Sequence, residues 1–108
     1  MDVPEKDIAA IIDWASSIPI ITRVWIFGSR VKSKSRTDSD LDIAIEHGAA
    51  KGDSNAYTTA IAEKGRWKEE LQQRVSLPID LQSYIPGHSE NIEKYLSEAS
   101  VLIYEKAI

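Results

Sequence analysis

The spacing of hydrophobic and polar positions changes several times along the chain, and each change marks an element. From Pro4 to Ser16, Ile8, Ile11, Ile12 and Ala15 fall at i, i+3, i+4 and i+7, the spacing of one helix face. Pro4 suits a first helical turn, and Pro19 closes the segment. The run Ile20 to Phe27 (IITRVWIF) is β-branched and aromatic, the composition of a buried strand. Gly28 breaks it, and a short helix or turn over Ser29 to Ser33 is expected next. From Asp40 to Glu46 (DLDIAIE) the period falls to two. Asp40, Asp42 and Ala44 share one face, while Leu41, Ile43 and Ile45 share the other. His47 to Ser54 holds two glycines and reads as a loop.

The longest helix is expected from Asn55 to Val75, on an imperfect stripe of Tyr57, Ala60, Ile61, Trp67 and Leu71. Gly65 lies inside it at a cost of ~1 kcal/mol against alanine, which would suit close packing there. Alternation returns from Pro78 to Tyr84, with Asp80, Gln82 and Tyr84 on one side and Ile79 and Leu81 on the other. Pro86-Gly87 turns the chain into a helix over Ser89 to Ser100, with Ile92, Tyr95, Leu96 and Ala99 as its buried stripe. The tail VLIYE can add a short extended segment. The expected order is α-β-α-β-α-β-α, with strands too far apart in sequence for tight hairpins. The economical fold class is α/β (α+β): one domain over residues 1–108, a small mixed sheet with helices packed mainly on one face.

Composition narrows the functional classes. The 43% apolar and 28% charged fractions are those of a globular chain, not a disordered one. There is no cysteine, which removes disulfides, zinc–thiolate sites and thiol nucleophiles together. No apolar stretch approaches the ~20 residues of a membrane span, and the N-terminus is acidic where a signal peptide would be basic. A cytoplasmic protein without a membrane partner is expected. Its 13 Lys and Arg against 17 Asp and Glu give −4, which argues against stable nucleic-acid binding. The distribution matters more than the sum. Arg30, Lys32, Lys34 and Arg36 form a cationic block, followed directly by Asp38, Asp40, Asp42 and Glu46. Adjacent blocks of opposite sign suit an anion carried with a metal, though they also suit a polar loop that neutralises itself.

Asp40 and Asp42, two apart on a strand, would point to the same side and repel. A divalent cation removes that repulsion, and hard oxygen ligands select Mg²⁺ or Mn²⁺. Asp80 has the matching parity on another expected strand and could join them. An EF-hand reading of Asp38, Asp40 and Asp42 fails, because its sixth position would be Ile43 and its twelfth Ala49. His47 and His88 lack metal-ligand spacing. Gly28-Ser29, at the end of a strand, resembles an anion-binding turn in which glycine admits a phosphate and free N–H groups face it.

Together, FGSRVKSKSRTDSDLD reads Gly-Ser, ten residues, then Asp-x-Asp, with a later Asp inside an apolar strand. This resembles the DNA-polymerase-β-like nucleotidyltransferase superfamily, and within it the minimal nucleotidyltransferase family, over nearly the whole chain. The resemblance implies a small nucleotidyltransferase fold. It implies that Gly28 and Ser29 bind the triphosphate, with Arg30 as a further phosphate contact. It also implies that Asp40, Asp42 and Asp80 are catalytic and hold two Mg²⁺ ions, or Mn²⁺, with ATP as co-substrate. Where the family often has small-basic-glycine after Gly-Ser-Arg, this chain has Val31, Lys32 and Ser33.

The implied reaction is attack of an acceptor hydroxyl on the α-phosphorus of a nucleoside triphosphate, releasing pyrophosphate. Little chain remains beyond the catalytic half to build an acceptor pocket, so the acceptor is expected from outside. The resemblance implies an antitoxin that transfers AMP to a tyrosine of a HEPN-domain toxin, in a homo- or hetero-oligomer. Two alternatives stay open: neutralisation of a partner by contact alone, and transfer to a small molecule.

Overall fold

Alternation in two segments gives the sheet one apolar and one polar face, and the helices distribute accordingly. The computed structural model describes residues 1–107. Its strands are β1 (Ile21–Phe27), β2 (Leu41–His47), β3 (Ile79–Tyr84) and β4 (Ser100–Glu105), in the order β3-β2-β1-β4. β1 runs antiparallel to both β2 and β4, while β2 and β3 are parallel, so the sheet is mixed. The helices are α1 (Glu5–Ser16), α2 (Ala56–Gln72) and α3 (Glu90–Glu98). No described helix is long and apolar enough to cross a membrane.

The apolar face carries the core. Val24 and Ile26 of β1, Leu41, Ile43 and Ile45 of β2, and Ile79 and Leu81 of β3 meet Ile11 and Trp14 of α1 and Trp67 and Leu71 of α2. Each such aliphatic side chain, fully buried, stabilises the fold by about 1.5–3 kcal/mol. Trp14 and Trp67 meet edge to face, with centroids 6.4 Å apart, where the two helices converge. The buried Asp7 ties α1 to the α2–β3 connection: its carboxylate accepts from Ser76 N at 3.1 Å and Ser76 Oγ at 2.7 Å. The helix α2 starts at Asn55, whose Oδ1 caps Thr58 N at 2.9 Å. Phe27 and Asp42 lie on the opposite face, and α3 crosses it with Tyr95 stacked on Phe27.

Four expectations change. The element order is α-β-β-α-β-α-β, because of the two forms expected after Gly28 the turn is the one adopted; the tail is extended, as expected, and forms the edge strand β4. Within that turn Ser33 has φ 56°, the left-handed region that a glycine enters without steric cost. The stripe of α2 divides, because Trp67 and Leu71 are buried while Tyr57 and Ile61 are 59% and 68% exposed. Thr59 is buried in their place, donating to Asp53 Oδ2 at 2.6 Å and accepting from Ala50 N at 2.8 Å. The helix α3 buries none of its residues completely.

Gly65 is the fourth. A Cβ there would meet nothing within 4 Å, so close packing does not explain it. Gly65→Ala is therefore expected to stabilise the protein by ~1 kcal/mol, raising Tm by about 4–8 °C. Thermal denaturation followed by circular dichroism checks this, and a lower Tm would contradict it.

Candidate active site

Strand register builds the site. The last residue of β1, Phe27, pairs with Asp42, and the parallel register of β2 with β3 pairs Asp42 with Asp80. Adjacent strands lie ~4.8 Å apart, so these two half-buried aspartates stand side by side on the polar face. Burial, and after it the charges of Asp80 and then Asp40, push the Asp42 carboxyl up to about 6. At neutral pH the cleft therefore concentrates negative charge. Asp80 Oδ1 accepts a 3.0 Å hydrogen bond from Gln82 Nε2, a neutral donor that leaves this charge in place.

The turn after β1 closes over the same carboxylate. Gly28 has φ 84°, and a Cβ on it would collide with Oδ2 of Asp42. Only glycine brings the backbone this close. The Gly28 carbonyl accepts from Val31 N at 3.1 Å and Lys32 N at 3.3 Å, and the Ser29 carbonyl from Lys34 N at 3.0 Å. Gly28, Lys32, Asp42 and Asp80 line one cleft of about 380 Å³, roofed by Tyr95 of α3.

Asp40 stands apart from this group. It is exposed, precedes β2 rather than lying in it, and does not line the cleft, although its charge reaches Asp42. Among the described residues, no three His, Cys, Asp or Glu side chains are gathered as a metal cluster. The donors that do converge, Asp42 and Asp80, fit a hard divalent cation: both are oxygen ligands, and their shared repulsion is what such an ion relieves.

Arg30 is placed differently from the expected phosphate contact. It is 6% exposed, and its guanidinium donates to Ser39 O from Nε at 3.2 Å and Nη2 at 2.7 Å, and to Asp2 O from Nη1 at 2.8 Å. Asp2 N returns a bond to Arg30 O at 2.8 Å. Arg30 is thus a buried clamp holding the N-terminal segment and the residue before Asp40 against the turn. The cation that lines the cleft is Lys32, which sequence reasoning grouped with the surrounding basic block. Its place two residues beyond Arg30 in a tight turn was the available signal. His47 is buried at the end of β2, bonded to Gly48 O at 2.9 Å and Ser83 Oγ at 3.1 Å, and edge-on to Trp67.

A glycine turn seated on a strand-paired aspartate sets backbone that could receive an anion beside a carboxylate pair that could hold a cation. The family model described as polymerase beta, nucleotidyltransferase matches residues 9–108. The chain belongs to that family. No curated protein matches it. Among solved structures of similar fold, a toxin–antitoxin crystal structure with AMP-PNP aligns with TM-score 0.68 at 20% identity, over 92% of this nucleotidyltransferase chain and 73% of that one. A mutant of the toxin–antitoxin MntA-HpeT aligns with TM-score 0.67 at 18% identity, again over 92% and 73%. A putative nucleotidyltransferase from Sulfolobus solfataricus gives 0.53 at 19%, over 92% and 77%.

Two predictions follow from these contacts. A carboxyl raised to about 6 in the fold, against ~3.9 unfolded, makes the folded state bind the extra proton, so stability falls as pH rises between those values. Asp42→Asn removes that cost. In EDTA at pH 7.5 the variant is expected to be more stable than wild type by on the order of 1 kcal/mol, after allowing for solvent screening of a half-exposed group. The gain should vanish below pH ~4, as thermal melts at both pH values would reveal. Arg30→Ala leaves two carbonyls without their donors and is expected to cost roughly 2–4 kcal/mol in urea unfolding. An unchanged urea midpoint would show the clamp to be dispensable.

Proposed function

We propose that this nucleotidyltransferase moves a nucleoside monophosphate, AMP from ATP, onto a hydroxyl, and that the acceptor is a tyrosine of a HEPN-type partner toxin. The observation that carries the transfer chemistry is the register pairing of Asp42 with Asp80 beneath the Gly28 turn. The resemblance to minimal nucleotidyltransferases, and the likeness in fold to a toxin–antitoxin structure with AMP-PNP, support the nucleotide and the class of partner.

In this reading Asp42 and Asp80, joined by Asp40 from the residue ahead of β2, would hold one or two Mg²⁺ or Mn²⁺ ions. Bound there, the cation supplies neutralising charge and lowers the pKa of the acceptor hydroxyl. Backbone N–H groups of the Gly28-Ser29 turn, with the Ser29 hydroxyl, orient the β- and γ-phosphates, and Lys32 adds a positive charge beside them. Asp80 takes the proton of the acceptor hydroxyl. The acceptor oxygen bonds to the α-phosphorus, the bond to the oxygen bridging the α- and β-phosphorus breaks, and pyrophosphate leaves with that electron pair. Arg30 shapes the loop and touches no phosphate.

A second reading, neutralisation by contact alone, draws on the exposed position of Asp40 outside the cleft. Stoichiometry separates the two. A trace of this protein with ATP and Mg²⁺ is expected to label and inactivate a molar excess of the partner toxin, and the inactivation should outlast removal of the protein. Asp42→Asn is expected to lower the labelling rate at least ~100-fold. ATP-independent inhibition that needs equal amounts and survives Asp42→Asn would establish the contact reading instead.

A further inference from the structure

The cleft has two sides of unlike chemistry. Asp42, Asp80 and Lys32 line one, and on the other Ile92, Tyr95 and Ala99 of the α3 segment stand above Phe27, with Glu98 as the one charged group among them. In the transfer reading, metal and triphosphate would occupy the side of the aspartates and leave the α3 side without a ligand. Tyr95 shapes that second side. Its ring lies nearly parallel to Phe27, at 8° and 6.2 Å between centroids. Phe27 is 5% exposed and sealed beneath it, whereas Tyr95 remains 47% exposed. No α3 residue is fully buried, so Tyr95 is not an anchor of the core. A half-exposed aromatic ring held flat against a second ring is preorganised, because its rotamer freedom is already restricted before a ligand arrives.

We infer that Tyr95 is the stacking platform for the nucleobase of the triphosphate substrate, with α3 supplying base affinity to a site whose metal and phosphate contacts come from the sheet. The inference rests on the nucleotidyltransferase reading and adds the base subsite to it. A cleft of about 380 Å³ falls within the range of small-molecule sites (~300–1,000 Å³) and has room beyond a polyphosphate. Every base has a π-face, so stacking on Tyr95 strengthens binding without discriminating between bases.

Calorimetric titration of the whole chain with Mg²⁺-ATP, Mg²⁺-GTP and Mg²⁺-tripolyphosphate tests this. Tripolyphosphate carries the charge but no base. Tyr95→Phe is expected to keep all three affinities within about twofold of wild type. Tyr95→Ala and Tyr95→Leu are expected to weaken ATP and GTP alike by about tenfold while leaving tripolyphosphate within about twofold. Leucine keeps an apolar cover over Phe27, so its behaviour separates a stacking platform from simple packing. The inference is overturned if the leucine variant loses tripolyphosphate as strongly as ATP, or if both variants bind nucleotides normally. Wild-type protein that binds tripolyphosphate as tightly as ATP overturns it alone, and wild-type protein that binds none of the three overturns the transfer reading with it.

Discussion

Two aspartates fixed side by side on neighbouring parallel strands are the constraint from which the rest of the molecule follows. Parallel pairing of Asp42 with Asp80 requires a long crossover between β2 and β3, and α2 is that crossover. Antiparallel pairing on the other side of β2 brings the end of β1 against Asp42, which leaves no room for a side chain at Gly28. An apolar helix cannot seal a face that carries ionised groups without stranding them. The helix α3 accordingly crosses that face without burying itself, and the space beneath it is the cleft.

The opposite face is built to resist that tension. Trp14, Trp67 and the aliphatic rows of β1, β2 and β3 form one core, and the buried Asp7 carboxylate fixes α1 to the connection ahead of β3. The Arg30 clamp does a similar task beyond the end of β1, next to the start of β2. Its guanidinium serves backbone carbonyls from two distant segments, Asp2 and Ser39, so the turn and the approach to Asp40 are set by one buried cation. Charge in this protein is thus disposed in two ways: compensated by backbone and hydroxyl groups at Asp7 and Arg30, and left without a counter-charge between Asp42 and Asp80 in the cleft.

Much of this was legible in the chain, because periodicity reports which face a residue occupies. Alternation in DLDIAIE and PIDLQSY gave the parity of Asp42 and Asp80, and β2 and β3 are adjacent with those two residues in register. Spacing could not show that β2 begins at Leu41, which leaves Asp40 outside it, since strand ends depend on tertiary hydrogen bonds such as Leu41 N to Pro78 O at 2.8 Å. Nor could it separate Arg30 from Lys32: both are basic, and only the path of a turn with Ser33 at positive φ buries one and leaves the other in the cleft. Helix stripes were the least informative. Tyr57 and Ile61 satisfy the helical period as well as Trp67 does, yet in the first turns of α2 it is Thr59 that is buried and these two that are exposed.

The sheet order also has a temporal side. β1 is an inner strand, yet its second neighbour is β4, and Phe27 pairs with Ser100 across about two thirds of the chain. On the ribosome, β1 emerges early and then waits with one edge bare while β2, α2, β3 and α3 are made. Closing that edge is a long-range event of the kind that slows folding and leaves a nascent chain open to stray strand pairing. The strand that completes the sheet also fixes the end of β1 from which Phe27 and Gly28 meet Asp42, so cleft assembly has to wait for β4.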